Sequence, residues 1–254
     1  MQKIFFIIIL LTFLRSNILN AQPGTNIIDT AVNAKLLSLS YAFQVPFADM
    51  ASRFGSNHNI GTAFTFKMAH NLMIGAEGNF LFGGNIREDT IIDGLFTSQG
   101  FFIGTNGIAE SVILFERGFS FFGKAGKLFT VGGSNPNSGL NVMVGAGFLQ
   151  HKIKIDDPDK AVPFVDGEYS KGYDRLTNGF AISQYAGYLH LDARRFLNFN
   201  AGIEIIEAFT QNRRDFNFDQ MKKDDSERVD ILLSFKLSWV LPFYGKGEQR
   251  FYTH

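Results

Sequence analysis

The feature that most restricts this chain is apolar residues at every second position, in segments of roughly ten residues that recur along its length. The last segment is the clearest. Val229, Ile231, Leu233, Phe235, Leu237, Trp239, Leu241 and Phe243 share one face, while Asp230, Ser234, Lys236 and Ser238 interleave, with Leu232 and Val240 as exceptions. A period of two belongs to an extended strand, whose successive side chains point to opposite faces. The same alternation runs through 35–45, 59–68, 72–82, 119–128, 140–149 and 197–207. Segment 180–190 is strand-like but apolar on both faces, so its orientation stays open.

That makes eight strands, and their connections alternate in length. Long ones cover 46–58, 83–117, 151–178 and 208–228; short ones cover 69–71, 129–139 and 191–196. Long loops on one side and tight turns on the other are the habit of an up-and-down outer-membrane β-barrel. An even strand count returns the C-terminus to the side where the N-terminus starts. Segments 95–103 and 108–115 also read as extended. They are expected to form a hairpin projecting from the second long loop; if they cross instead, the barrel has ten strands.

Residue types on the two faces choose between a membrane barrel and a secreted soluble one. A soluble barrel turns its apolar face inward. Here the apolar faces are rich in Phe, Ile and Leu, with 29 Phe in 254 residues, and the opposite faces carry Gly, Ser, Ala and Asn. Small residues suit a narrow lumen, which leaves the bulky face to lipid. Open sheets would leave edge groups unpaired there. The mean hydropathy of +0.02 is too polar for a bundle of membrane helices, and no segment after the N-terminus reaches 18 consecutive apolar residues. The N-terminus itself reads as an export leader: Lys3, an apolar run over 4–14, then a more polar stretch ending Ala-Gln. Cleavage is expected after Ala21, although Leu19 at the −3 position is larger than the rule prefers; an uncleaved anchor or a buried first helix is the alternative. The domain plan is therefore a signal peptide at 1–21 and a barrel over 22–254, ending in a short periplasmic tail at about 245–254.

Lys67, Glu77, Lys124, Glu204 and Lys236 fall on the polar faces of five different strands. Isolated, each is costly in a narrow interior; paired, they form a satisfied plug. A proton or ion path is the functional alternative. Chemistry-bearing constellations are otherwise sparse. Cysteine is absent, which removes disulfides, thiolate metal sites and thiol catalysis. His58 beside Ser56, and His151 with Ser170, are nucleophile candidates by proximity alone, and solvated loop residues account for both. Asp156, Asp157 and Asp159 suggest an oxygen-rich cation loop, but Pro158 interrupts them and no glycine or closing Glu follows the EF-hand order. No catalytic, cofactor or metal site is assigned. The 24 basic and 24 acidic residues balance, so no nucleic-acid partner is expected. On the presumed outer side, Tyr173, Asp174, Arg175, Arg213 and Arg214 stand out. The arginines suit lipopolysaccharide phosphates or a partner protein, or ion pairs with Asp174 and Asp215 that order the loops.

The Ala-Gln leader end, residues 147–153, 171–179 and 210–214, and the ending 239–244 resemble a family of small Bacteroidota outer-membrane β-barrel proteins. The resemblance covers most of 34–254. It implies location and fold, in a phylum with elaborate export machinery that includes type IX secretion and gliding, and it transfers no site residues. The expected function is a non-enzymatic structural or accessory subunit of a cell-envelope or secretion assembly, acting through loops or tail. Its partners would be outer-membrane lipid, lipopolysaccharide and other envelope proteins. A small solute or ion channel is the alternative, and a lipid-modifying barrel enzyme a distant third. Pro242 lacks a ladder donor, so the last strand is expected to end at about 241 or 243. Deleting 246–254 should then leave barrel folding intact, checked by the yield of folded barrel; loss of the barrel itself would make the tail part of the last strand or an assembly signal.

Overall fold

The structure, a computed structural model, describes residues 30–244 except 96, 98, 100, 132–134, 166 and 193–196. The leader expected at 1–21 and the tail expected at about 245–254 lie outside these residues. The strands are β1 (Ala34–Phe47), β2 (Asn57–Lys67), β3 (Leu72–Gly83), β4 (Phe102–Ile103), β5 (Ala109–Glu110), β6 (Ile113–Thr130), β7 (Gly139–Asp156), β8 (Thr177–His190), β9 (Phe199–Asn212) and β10 (Glu227–Tyr244). A short helix, α1 (Ala48–Arg53), follows β1.

Eight of these strands close a ring in the order β1-β10-β9-β8-β7-β6-β3-β2, each antiparallel to its neighbours. Only β4 and β5 stand apart, as a two-residue ladder in the loop between β3 and β6. The hairpin expected there is smaller than the alternation suggested, because Ile113 and Phe115 already belong to β6. The strands are longer than their alternating segments; β6, β7 and β10 each reach 18 residues by extending toward the long loops.

Register sets the barrel's geometry. Passing from partner to partner, Trp239 leads through Leu39, Thr62, Gly78, Phe121, Phe148, Phe180 and Phe209 to Val229. One lap thus returns to β10 ten residues from its start, a shear of about 10 for eight strands and a strand tilt of about 35–45°. The lap also stays on the outer wall. Leu39, Ile60, Ile74, Phe121, Val144, Phe180, Phe209 and Phe235, one from each strand, are each roughly half exposed. The orientation of β8, open from sequence, resolves with Ala181, Ser183, Tyr185 and Leu189 inside and Phe180, Gln184 and Tyr188 outside.

Both strand prolines sit where a ladder donor is not needed. β10 continues through Pro242 to Tyr244, longer than the proline suggested. Val240 gives its N–H to the Asn198 carbonyl on the β9 side, 3.0 Å, so Pro242, two residues on, faces that same side. The β9 ladder has already ended there, at Trp239 opposite Phe199, while β1 stays paired on the other side. Pro46 follows the same logic: it faces β2 beyond the last β1–β2 pair, Gln44 with Asn57.

Tight curvature presses some inward positions against the neighbouring strand. A Cβ on Gly147 would lie 1.9 Å from the Phe121 carbonyl oxygen, and one on Gly179 would lie 1.8 Å from that of Phe209. Outward Gly123 has room, with the Ala146 carbonyl oxygen 3.9 Å away. Gly147→Ala and Gly179→Ala should therefore lower the yield of folded barrel severely, and Gly123→Ala should leave it near wild type, as read from heat-modifiable gel mobility after refolding.

Candidate functional site

The lumen is layered, and its middle layer is ionic. Glu77 on β3, Lys124 on β6, Glu204 on β9 and Lys236 on β10 all point inward and are buried. Glu77 Oε2 meets Lys124 Nζ at 2.8 Å and Glu77 Oε1 meets Lys236 Nζ; Glu204 Oε1 meets Lys124 Nζ and Glu204 Oε2 meets Lys236 Nζ at 3.0 Å. Each of the four carboxylate oxygens thus holds one ammonium in a closed, neutral square. Ser183 Oγ donates to Glu204 at 2.7 Å and Asn79 Nδ2 to Glu77 at 2.9 Å, supplying hydrogen bonds that buried charges require.

Lys67 is not in this square, which corrects the five-residue network expected from sequence. It points inward, but from the turn end of β2, where it donates to Asn137 Oδ1 at 2.8 Å and the Val32 carbonyl at 3.2 Å. It ties Asn137, just ahead of β7, to Val32 at the chain's entry into β1. Alternation reports which face a residue takes; depth in a tilted barrel also needs the shear.

Apolar layers lie on both sides of the square. Toward the loops, Leu81, Phe122, Leu149, Ile206 and Leu232 belong to one buried cluster that continues into Met50 and Phe54. Toward the turns, Leu36, Met73, Leu128, Leu189 and Val240 form a floor. Between floor and square lies a cavity of about 50 Å³, lined by Ser38, Ser40, Thr65, Asn141 and Asn200 among others, room for a few waters. The Asn141 side-chain amide is buried there without a protein partner among the described residues.

A second polar cluster closes the loop end, and sequence reasoning missed most of it. Asp230 on β10 takes Arg53 Nη2 on Oδ1 at 2.9 Å, and His151 Nε2 and the Thr210 hydroxyl on Oδ2 at 2.9 and 2.6 Å. Arg53 Nη1 also donates to Thr177 Oγ1 at 3.1 Å. Arg53 ends α1, so this cluster latches the helix across the barrel mouth, with the edge of Phe54 against the His151 ring at 5.3 Å. His151 is therefore a buried strand residue, not a solvated loop partner for Ser170. His58 is a strand residue too, on the outer wall of β2, where its Nδ1 meets the Tyr41 hydroxyl at 2.8 Å. The signal for the latch was present in the inward parity of Asp230; nothing local in the sequence pairs it with Arg53.

The loop residues singled out from sequence converge above this latch. Asp174 receives Arg214 through Nε at 2.7 Å and Nη2 at 2.5 Å, a two-point pairing that raises the Arg214 pKa above its usual value. Arg175 reaches Glu88 at 3.1 Å and Asp219 at 2.5 Å, joining three of the long loops through one guanidinium. Tyr173 stacks edge-on against Phe218 at 5.3 Å, and burial raises its phenol pKa. Arg213 instead turns back to Asn178, at 2.7 Å. Asp156 and Asp157 are taken up by Lys154 Nζ and the Val162 N–H, each at 2.7 Å, so they do not converge on a common point with Asp159.

No protein-family model matches the chain, and no curated protein sequence matches it. Among solved structures it is similar to Neisserial surface protein A, at 11% identity and a TM-score of 0.40 over 81% of this chain and 97% of that one. It is similar also to Ail, the attachment invasion locus protein of Yersinia pestis, at 12% identity and a TM-score of 0.41 over 82% and 99%. Similarity of this degree transfers no ligand, partner or activity.

The square yields a sharp expectation. Lys236→Met should destabilise the barrel by about 3 kcal/mol, because two buried carboxylates would share one ammonium. Lys67→Met should cost less, since its partners are neutral. Denaturant unfolding in detergent, followed by tryptophan fluorescence, measures both.

Proposed function

We propose that this chain is an integral outer-membrane barrel that works as a non-enzymatic accessory or structural subunit of a cell-envelope assembly. It would anchor in the bilayer by its wall and act through the platform built by its long loops.

The observation that carries the anchor is the apolar outer wall. Large apolar residues stand half exposed on all eight strands, in a band bounded toward the turns by Lys35 and Lys127 and toward the loops by Arg117, Lys152 and Asn178. Soluble monomers rarely expose contiguous apolar patches beyond a few hundred Å². A closed barrel leaves no edge group unpaired in hydrocarbon, which makes this wall suited to lipid. Aromatic Tyr188 and Trp239 stand near the turn-side edge of the band, where an interfacial girdle would sit.

The layered lumen supports an anchor over a channel. Two apolar layers, an ionic square and the α1 latch succeed one another, and the small cavity described above is lined by residues of the square and the floor. What remains open to partners is the loop side. Phe216, Phe218 and Met221 face solvent there beside exposed Lys222 and Lys223, a mixture suited to another envelope protein or to lipopolysaccharide phosphates.

The test is direct. The protein should require detergent or lipid to stay dispersed, show heat-modifiable mobility, and give no steady conductance in a planar bilayer. An ohmic conductance would favour the channel, and a monodisperse protein without detergent would remove the membrane from the reading.

A further inference from the structure

The outer wall is not uniformly apolar: apart from Gln150 and Asn178 near the loop-side rim, two polar pairs stand within it. Gln184 on β8 gives its Nε2–H to Glu207 Oε1 on β9 at 3.4 Å. Both side chains are outward and accessible, yet they lie among Ile182, Ile205, Phe209 and Ile231. On another wall Tyr41 and His58 meet at 2.8 Å, with Phe43 and Phe82 around the imidazole. The hydroxyl of Thr62, also outward, is already spent on the Ser38 carbonyl at 3.1 Å. A carboxyl and a carboxamide facing acyl chains are costly unless something polar meets them.

The two pairs lie at matching depths. A shear of about ten over eight strands displaces the register by about 1.25 residues per strand. Gln184 is linked through Ile205 and Leu233 to Val45, three strands on, so the residue level with it on β1 is about 41. That residue is Tyr41. Glu207 is linked through Ile231 to Phe47, and the same correction carried on to β2 arrives at about residue 58. That residue is His58.

Their chemistry is complementary as well. In the tautomer whose Nδ1 accepts from the Tyr41 hydroxyl, His58 carries its N–H on Nε2, a donor suited to a carboxylate. The Tyr41 oxygen can still accept, and the Gln184 amide has a second N–H to give. The geometry points to lateral self-association in the bilayer: the β8–β9 wall of one copy packs against the β1–β2 wall of a second, Glu207 meeting His58 and Gln184 meeting Tyr41. Outward Ala186, the next outward position to Gln184 on β8, allows close approach. Because the two walls differ, the contact is heterologous and repeats beyond the dimer. This packing rests on the membrane reading above.

The chain has no cysteine, so introduced thiols are unique reporters. Ile205 is the register partner of Gln184 and Ile60 that of Tyr41, which places one reporter on each wall without touching the polar pairs. The full chain carrying Ile205→Cys and Ile60→Cys, reconstituted in phosphatidylcholine vesicles at low protein density, should give a ladder of dimers and trimers with a short bis-maleimide. Each single variant should stay monomeric. Adding Glu207→Leu should cut the ladder at least tenfold while heat-modifiable mobility persists. A ladder from Ile205→Cys alone would mean two-fold packing and overturn the arrangement. A ladder indifferent to Glu207→Leu, or a vesicle-bound protein that never cross-links, would overturn it equally. Failure to co-float with the vesicles is a different result: it would sink the membrane reading itself.

Discussion

Closure between β1 and β10 is the constraint on which the rest of this structure depends. Fourteen register pairs join the first strand to the last, from Ala34 opposite Tyr244 to Phe47 opposite Ile231. Without them two long edges would carry unpaired backbone groups, which hydrocarbon does not tolerate. Closure at a shear of about ten also fixes the interior width, and the width dictates which side chains fit. Glycines at 147 and 179 are consequences of that width, since even a methyl group there would enter the next strand's backbone.

The ionic square follows from the same width. Two neighbouring strands, β3 and β6, face another two, β9 and β10, across the ring and bring four long side chains to one point, and two carboxylates with two ammoniums leave that point neutral. Desolvating four charges costs heavily, so the square is weak evidence for net stability; a well-packed apolar layer of equal volume does as well or better in other proteins. Its physical consequence is asymmetry. The intact square is self-satisfied, whereas any single loss strands a buried charge. The loop-end latch behaves alike, because Asp230 draws Arg53, His151 and Thr210 from three separate segments onto one carboxylate.

Much of this was legible as alternation. The strand count, the faces of seven strands and the inward parity of Lys67, Glu77, Lys124, Glu204 and Lys236 follow from period two alone. Depth did not follow, because it depends on shear, and shear is a property of the closed ring rather than of any strand. Hence parity alone groups Lys67 with residues lying far up the lumen, although it binds Asn137 at the turn end. His58 and His151 read as loop residues from sequence because both lie beyond their clear alternating segments, where strands lengthen by pairing with neighbours. The Asp174–Arg214 pair was readable as an option from charge and loop order; that Arg175 would join Glu88 to Asp219 was not, since nothing local encodes which loops meet.

The two faces of each strand answer to different surroundings, and this makes register unusually well specified. In a half-buried soluble sheet, a one-residue slip exchanges apolar for polar. Here a slip in β10 would turn Lys236 toward the outer wall and drive Phe235 or Leu237 into the space the square occupies. On the lipid reading a midplane lysine costs about 2–4 kcal/mol by itself. Glu77 and Glu204 would lose half their counter-charge in the same movement, and the inward glycines of β7 and β8 leave no compensating room for a phenyl ring. These penalties arise on opposite faces and add, so the slipped barrel lies well above the native one without any contribution from the loops. The loops are thus free of the task of holding the register, which leaves their sequence open to whatever the outer side requires.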